Sequence, residues 1–224
     1  PTLPGYSEDT LASMDEQALF ALVTSNNDRL PLEVVHACAS RAEAMVPLLS
    51  QHLENDSNWG NEVSDGDWWG LLHIIFILGL IPGEASAKAL LEGYRRITFD
   101  SNNNLADWLS GYWPALCRNK TAYTTDCMRQ IAEDHQLDWY PRSQAVECVV
   151  ADANESDATQ LEEAIDWLAS LCVDESQDPE FRVMAGHTLL DHPRERHRQV
   201  MEQLWNSRIR TPGSATPIIV TTST

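Results

Sequence analysis

The run Trp68-Trp69-Gly70-Leu71-Leu72-His73-Ile74-Ile75-Phe76-Ile77-Leu78-Gly79-Leu80-Ile81 carries no charged side chain and a single histidine. It falls short of the roughly 20 apolar residues that a membrane-spanning helix needs. Drawn as a helix it is apolar on every side, and such a helix must be covered all round by other parts of the same fold. Asp67 stands before it as a helix cap, and Pro82-Gly83 ends it. The rest of the chain is therefore read as cover. Phe76 is expected to be a core ring. His73 is expected to be buried and neutral with one hydrogen bond, because burial disfavours the charged form.

The flanking segments have the patterning that such cover requires. Residues 1–12 read as an irregular arm, and Ser13-Met14-Asp15-Glu16 reads as a capping box that opens a helix through Leu19 and Val23. Pro31 suits the first turn of a further helix, followed by one that carries Met45, Leu48, Leu49 and Leu53 on one face. Leu105, Trp108, Leu109, Tyr112, Trp113 and Leu116 form the cleanest apolar stripe, on a helix that Pro114 should kink or shorten. Asp138-Trp139-Tyr140-Pro141 reads as a connector. Asp157 and the Asp178-Pro179-Glu180 step each mark a helix start, and Val200, Met201, Leu204 and Trp205 line the last helix. The segment from Thr211 reads as a loose tail.

Helix pairs begin near Pro31, Asp67, Asn104, Ser143 and Asp178, a spacing of about 35 to 39 residues. That period fits an all-α solenoid of about five antiparallel helix pairs behind an N-terminal helix, spanning residues 13–210 as a single domain. Pro31-Leu32-Glu33-Val34-Val35, Ala44-Met45-Val46-Pro47-Leu48-Leu49 and Asp67 through Gly79 resemble a bacterial HEAT-like family, the domain-of-unknown-function family numbered eleven eighty-six. The resemblance runs from about residue 13 to 206. It implies an all-helical HEAT-like fold and no established activity. Some members carry a cysteine-rich metal motif at the C-terminus; residues 211–224 hold no cysteine, so no metal role carries over.

The chain has 34 acidic residues against 15 basic ones, a formal charge of −19. This argues against nucleic acid and anionic membrane as partners, since both carry dense negative charge. Cys38, Cys117, Cys127, Cys148 and Cys172 are odd in number, contain no Cys-x-x-Cys pair and fall in helical segments, as expected of reduced thiols in a cytoplasmic protein. The N-terminus has no basic stretch followed by an apolar core, so it does not read as a signal peptide.

No phosphate loop, dinucleotide fingerprint or Gly-x-Ser-x-Gly step is present. Glu33-Val34-Val35-His36 has the spacing of a di-iron helix, but no second such motif faces it. His187, Asp191, His192 and His197 gather near a helix end, where histidines are favourable without any metal. The polar loops around Asp56 and Asp100 match calcium-loop spacing only in part, and Asx-rich turns explain them. No cofactor or metal site follows. The favoured reading is a protein-binding or scaffolding module, with a metal-dependent enzyme on the same scaffold as the alternative. Trp59 and Trp139 are flanked by polar residues and are candidates for a recognition surface. No lysine or arginine lies between Arg142 and Arg182, a span rich in acids, and the segment after it is locally basic. Acidic and basic units should therefore lie side by side. Glu162, Glu163 and Asp166 on one helix are candidates to dock a basic segment of another protein, or the basic end of a second copy.

Overall fold

The computed structural model describes residues 5–60, 63–99 and 104–210, the side chains at 205 and 207–210 excepted. Among these residues there is no strand. The helices are α1 (Glu8–Ser13), α2 (Glu16–Ser25), α3 (Leu32–Ser40), α4 (Ala42–Glu54), α5 (Asp65–Leu80), α6 (Glu84–Phe99), α7 (Leu105–Leu109), α8 (Trp113–Leu116), α9 (Ala122–Glu133), α10 (Trp139–Ser156), α11 (Ala158–Val173), α12 (Pro179–Asp191) and α13 (Arg198–Arg210). Helices pack mainly on those near them in chain order. The apolar α5 is wrapped by α2, α3, α4, α6 and α8; α10 gathers α8, α9, α11 and α12; α13 closes on α11 and α12. No described helix is long and apolar enough to cross a membrane.

Caps explain where the helices begin. Asp157 and Asp178 accept from backbone N–H groups at the starts of α11 and α12, with Pro179 in the first turn of α12. Three starts depart from the sequence reading. α5 begins two residues before Asp67: Ser64 is its cap and accepts from the Asp67 N–H, while Asp67 accepts in return from the Ser64 hydroxyl at 2.7 Å. Asp15, not Ser13, caps α2, because Ser13 already ends α1. The segment read as an irregular arm thus holds a helix, and Arg41 secures it by donating to the carbonyls of Leu11, Ala12 and Met14. Asp138 caps α10, so Trp139 to Pro141 form that helix's first turn rather than a connector. The tail from Thr211 and the side chain of Trp205 lie outside the described residues.

Close approach lets the neighbours cover α5. At Gly66 a Cβ would stand 2.6 Å from the Thr24 carbonyl oxygen, and at Gly70 3.2 Å from the Thr24 Cγ2, so both glycines admit the end of α2 onto α5. The other end of α5 is a polar problem, because the last carbonyls of a helix have no partner within it. Lys120, in the connection before α9, donates to the carbonyls of Leu78 (2.7 Å), Gly79 (3.2 Å) and Ile81. The Ser86 hydroxyl adds a bond to Ile81 O at 2.7 Å. A cation at a helix C-terminus also suits the dipole. Burial pushes this lysine's pKa down to about 8.

The second half of the fold is tied by polar groups inside the core. Tyr94 of α6 donates its hydroxyl to Pro141 O at 2.6 Å. Arg142 is 1% exposed, a costly place for a charge. Its guanidinium donates to Ala132 O and to Gln177 and lies 3.9 Å from the Phe181 ring centroid, which joins α9, α10 and α12. The five cysteines are buried and unpaired, and burial raises Cys38 to about 11 and Cys172 to about 12, far from thiolate reactivity at neutral pH.

Phe76 departs from its expected place. Its ring is half-buried against Tyr112, whereas Ile75 is fully enclosed. The order of cost should therefore invert the order of size. Ile75→Ala is expected to lower stability by about 2–5 kcal/mol, and Phe76→Ala by about 1–2 kcal/mol, the value of a partly exposed aromatic contact. Urea unfolding of the two variants checks this; an equal or larger loss for Phe76→Ala would place that ring in the core.

Candidate functional site

The Leu105–Leu116 stripe does not survive as one helical face. The chain leaves helix after Leu109, passes Gly111 at φ +80, and resumes at Trp113 with Pro114 in the first turn of α8. The break turns the stripe in two directions. Leu105, Leu109, Trp113 and Leu116 stay inside, while Trp108 and Tyr112 are each 52% exposed. Gln144 of α10 accepts from the Gly111 N–H at 3.4 Å and helps hold the turn.

The two outward rings lie on the least covered side of α5. Trp69, His73 and Phe76 recur at one-turn spacing and are only partly buried, while Leu71, Leu72, Ile74, Ile75, Ile77 and Leu78 are enclosed. Trp108 meets Trp69 at 5.2 Å and Trp68 at 6.0 Å between ring centroids, edge to face, and Trp68 meets Trp69 in the same manner at 4.9 Å. Tyr112 meets Phe76 edge to face at 5.6 Å. His73 stacks on Trp69 at 6.4 Å, and its Nδ1 donates to Val23 O at 2.8 Å. Burial lowers the His73 pKa, with the Val23 bond acting the other way, so the ring is neutral at pH 7. The three indoles are too close to admit a ligand between them. Together with Phe76 and Tyr112 they form an aromatic surface on which a ligand would lie. Neither α5 nor α7 carries a lysine or arginine, and Asp65 and Asp107 on them are exposed.

The residues singled out from sequence sit elsewhere. Trp59 is held in the α4–α5 connection, where its Nε1 donates to Leu53 O at 2.8 Å and Arg96 lies 5.6 Å over its ring. Trp139 opens α10 with its ring edge on Tyr140 and its body against the core. Glu162 and Asp166 are a turn apart on α11 and meet the segment before α13. Arg194 donates twice to Glu162, at 2.9 and 2.7 Å, and Arg196 bridges Glu162 (2.5 Å) and Asp166 (2.7 Å). His197 lies 2.8 Å from Asp166 through Nε2, and its buried Nδ1 has no partner among the described residues. The acid-rich α11 and the arginine-rich segment after α12 lie side by side, and Glu162 and Asp166 are paired within the chain. Glu163 is exposed and has no ion pair among the described residues. The Trp59, Trp139 and Glu162 groups are on separate elements, and no bond or ring contact joins them.

Among the described residues, the other sites offer little to a ligand. A shallow cleft of about 540 Å³ between α1 and α3 is bordered by Glu8, Glu33, His36 and Arg41. Its Glu33 accepts from the Tyr6 N–H, and its Arg41 is committed to carbonyls. Among the described residues no group of three His, Cys, Asp or Glu side chains is placed to hold a metal ion. Sequence reading missed Trp108 and Tyr112 because both fit a buried stripe; the only local sign against it is Gly111 three residues before Pro114. The chain matches no known family model, no characterised protein and no solved structure.

Two measurements test this electrostatic picture. His52 and His73 both have lowered pKa values, chiefly from burial. The unfolded chain then binds protons more readily than the fold at these sites, so their contribution is whole above about pH 6.5 and is lost as pH falls below it. Stability by urea unfolding is expected to drop between pH 7.5 and 5, and less steeply in His73→Gln. An unchanged slope in that variant would show His73 free to titrate. At α11, hydrogen bonds from Arg194 and then Arg196 hold the Glu162 carboxyl down at about 2. Carboxyl NMR should find that value in the parent chain and an ordinary glutamate value in the Arg194→Ala, Arg196→Ala double variant; no shift between the two would mean that the pairs do not persist in solution.

Proposed function

We propose that this chain is a protein-binding or scaffolding module built on a HEAT-like α-solenoid, and that its docking surface is the aromatic face of α5 and α7. The observation that carries this reading is the half exposure of Trp108 and Tyr112 above Trp68, Trp69 and Phe76. Tryptophan and tyrosine dominate the energetics of protein interfaces, because each removes a large apolar area from water while its polar edge stays hydrogen-bonded. Leaving five such rings together and partly wet is unfavourable for an isolated chain and is relieved by a partner. Serial packing of helices on near neighbours in chain order, and the helix-pair spacing, support the solenoid reading. Such a scaffold presents fixed side chains over a long surface, which suits binding more than enclosure of a reaction.

The acidic stripe of α11 supports a partner less well, since Arg194 and Arg196 already neutralise Glu162 and Asp166. Capture of partners by the tagged chain from cells of its own source tests the choice between the two surfaces. The Trp108→Ala, Tyr112→Ala double variant should stay within about 1–2 kcal/mol of the parent in stability, because both rings are half exposed, and should lose the captured partners. Glu163→Lys should retain them. Equal capture by the double variant, with the fold intact, would remove the aromatic face as the docking surface.

A further inference from the structure

Elsewhere among the described residues, cations lie over aromatic rings: the Lys88 ammonium stands 5.5 Å over Tyr123, and the other three are guanidinium groups. Arg96 lies 5.6 Å over Trp59, Arg129 4.5 Å over Trp167 and Arg142 3.9 Å over Phe181. The edge of Arg96 is engaged as well: it donates to Glu92 at 2.8 Å and to Asp56 at 2.7 Å. Stacking and edge bonding together use both properties of the group, a weakly hydrated planar face and a fork of N–H donors. Trp108 and Tyr112 are the most exposed aromatic side chains among the described residues, and no described cation lies over either. Asp107 adjoins Trp108, and Asp65 precedes Trp69 by one helical turn; both carboxylates are exposed and neither has an ion pair among the described residues. The aromatic face thus has rings and carboxylates like those around Arg96, without the arginine.

Resting on the docking surface proposed above, we infer that the α5–α7 face takes an arginine-bearing segment of a partner protein, with a guanidinium laid on Trp108 and its N–H edge turned to Asp107. The charge of −19 would draw such a segment in and make the encounter salt-dependent. Arginine is specified over lysine, because an ammonium is a strongly hydrated point charge that neither stacks flat nor bridges two carboxylate oxygens.

The test titrates the full chain with three short glycine–proline peptides of equal length, one carrying two arginines, one two lysines and one two leucines. Binding is followed by the tryptophan indole N–H signals in NMR spectra. The arginine peptide is expected to shift the Trp108 signal and to bind about fivefold or more tightly than the lysine peptide. It should weaken as salt rises, and lose about tenfold in affinity in Trp108→Ala or in Asp107→Asn. Circular dichroism confirms that each variant is folded. Equal affinity for lysine, or arginine binding that Trp108→Ala leaves intact, overturns the inference. If only the leucine peptide binds, and Trp108→Ala abolishes that binding, the docking surface stands and the arginine assignment falls. If sizing shows a dimer that Trp108→Ala disperses with no peptide present, the occupant is a second copy and the inference is overturned.

Discussion

The cover of α5 is the constraint on which the rest of this structure depends. A helix apolar on all faces has no solvent side, so five neighbouring helices must reach it, and they do so only where the backbone allows close contact. Gly66 and Gly70 let the end of α2 approach to the distance of a missing Cβ. The same burial strands the helix's last carbonyls away from water. Lys120 resolves this from the α8–α9 connection with three hydrogen bonds and no carboxylate partner among the described residues. The apolar helix thus recruits a cation into a half-buried position, and the cation's depressed pKa follows from that position.

The cover is incomplete along one line, and the break between α7 and α8 accounts for it. A continuous helix from Leu105 to Leu116 would present six apolar side chains to α5 and α10 together. The left-handed turn at Gly111 rotates Trp108 and Tyr112 away from that face, so they cap the Trp69–His73–Phe76 line from outside instead of filling it. The aromatic surface is therefore a product of two elements, one too apolar to be soluble and one too interrupted to cover it. Its rings make close edge-to-face contacts, which gives the surface a rigid form before any partner arrives.

Charge is distributed by a different logic. The acid-rich stretch between Arg142 and Arg182 and the arginine-rich stretch after it invite a reading as two surfaces for two partners. Folding brings them together, with Glu162 and Asp166 facing Arg194, Arg196 and His197, and so fastens the segment before α13 onto α11. Because these pairs are largely exposed, they orient the last helix more than they stabilise it; the apolar grip comes from Leu204 against Gly186 and from the partly buried Val200 and Met201.

Helix type, the positions of the strongest caps at Asp157 and Asp178 and the central place of the Trp68–Ile81 run were legible in the amino-acid sequence. Each depends on properties local to a few residues: a carboxylate beside free N–H groups, a proline in a first turn, or an apolar run that admits no solvent face. Side-chain destination was not local. Spacing by three and four places Trp108 and Tyr112 on the stripe with Leu105, Leu109 and Leu116 only while the helix between them is unbroken, and the turn through Ser110 and Gly111 breaks it. Likewise, an acidic residue reads as a free charge until its neighbour in space is known, and the neighbours of Glu162 and Asp166 come from about thirty residues away. Local chemistry sets which elements form; the directions in which rings and charges point are set by contacts between residues far apart in the chain, and only the tertiary structure contains those.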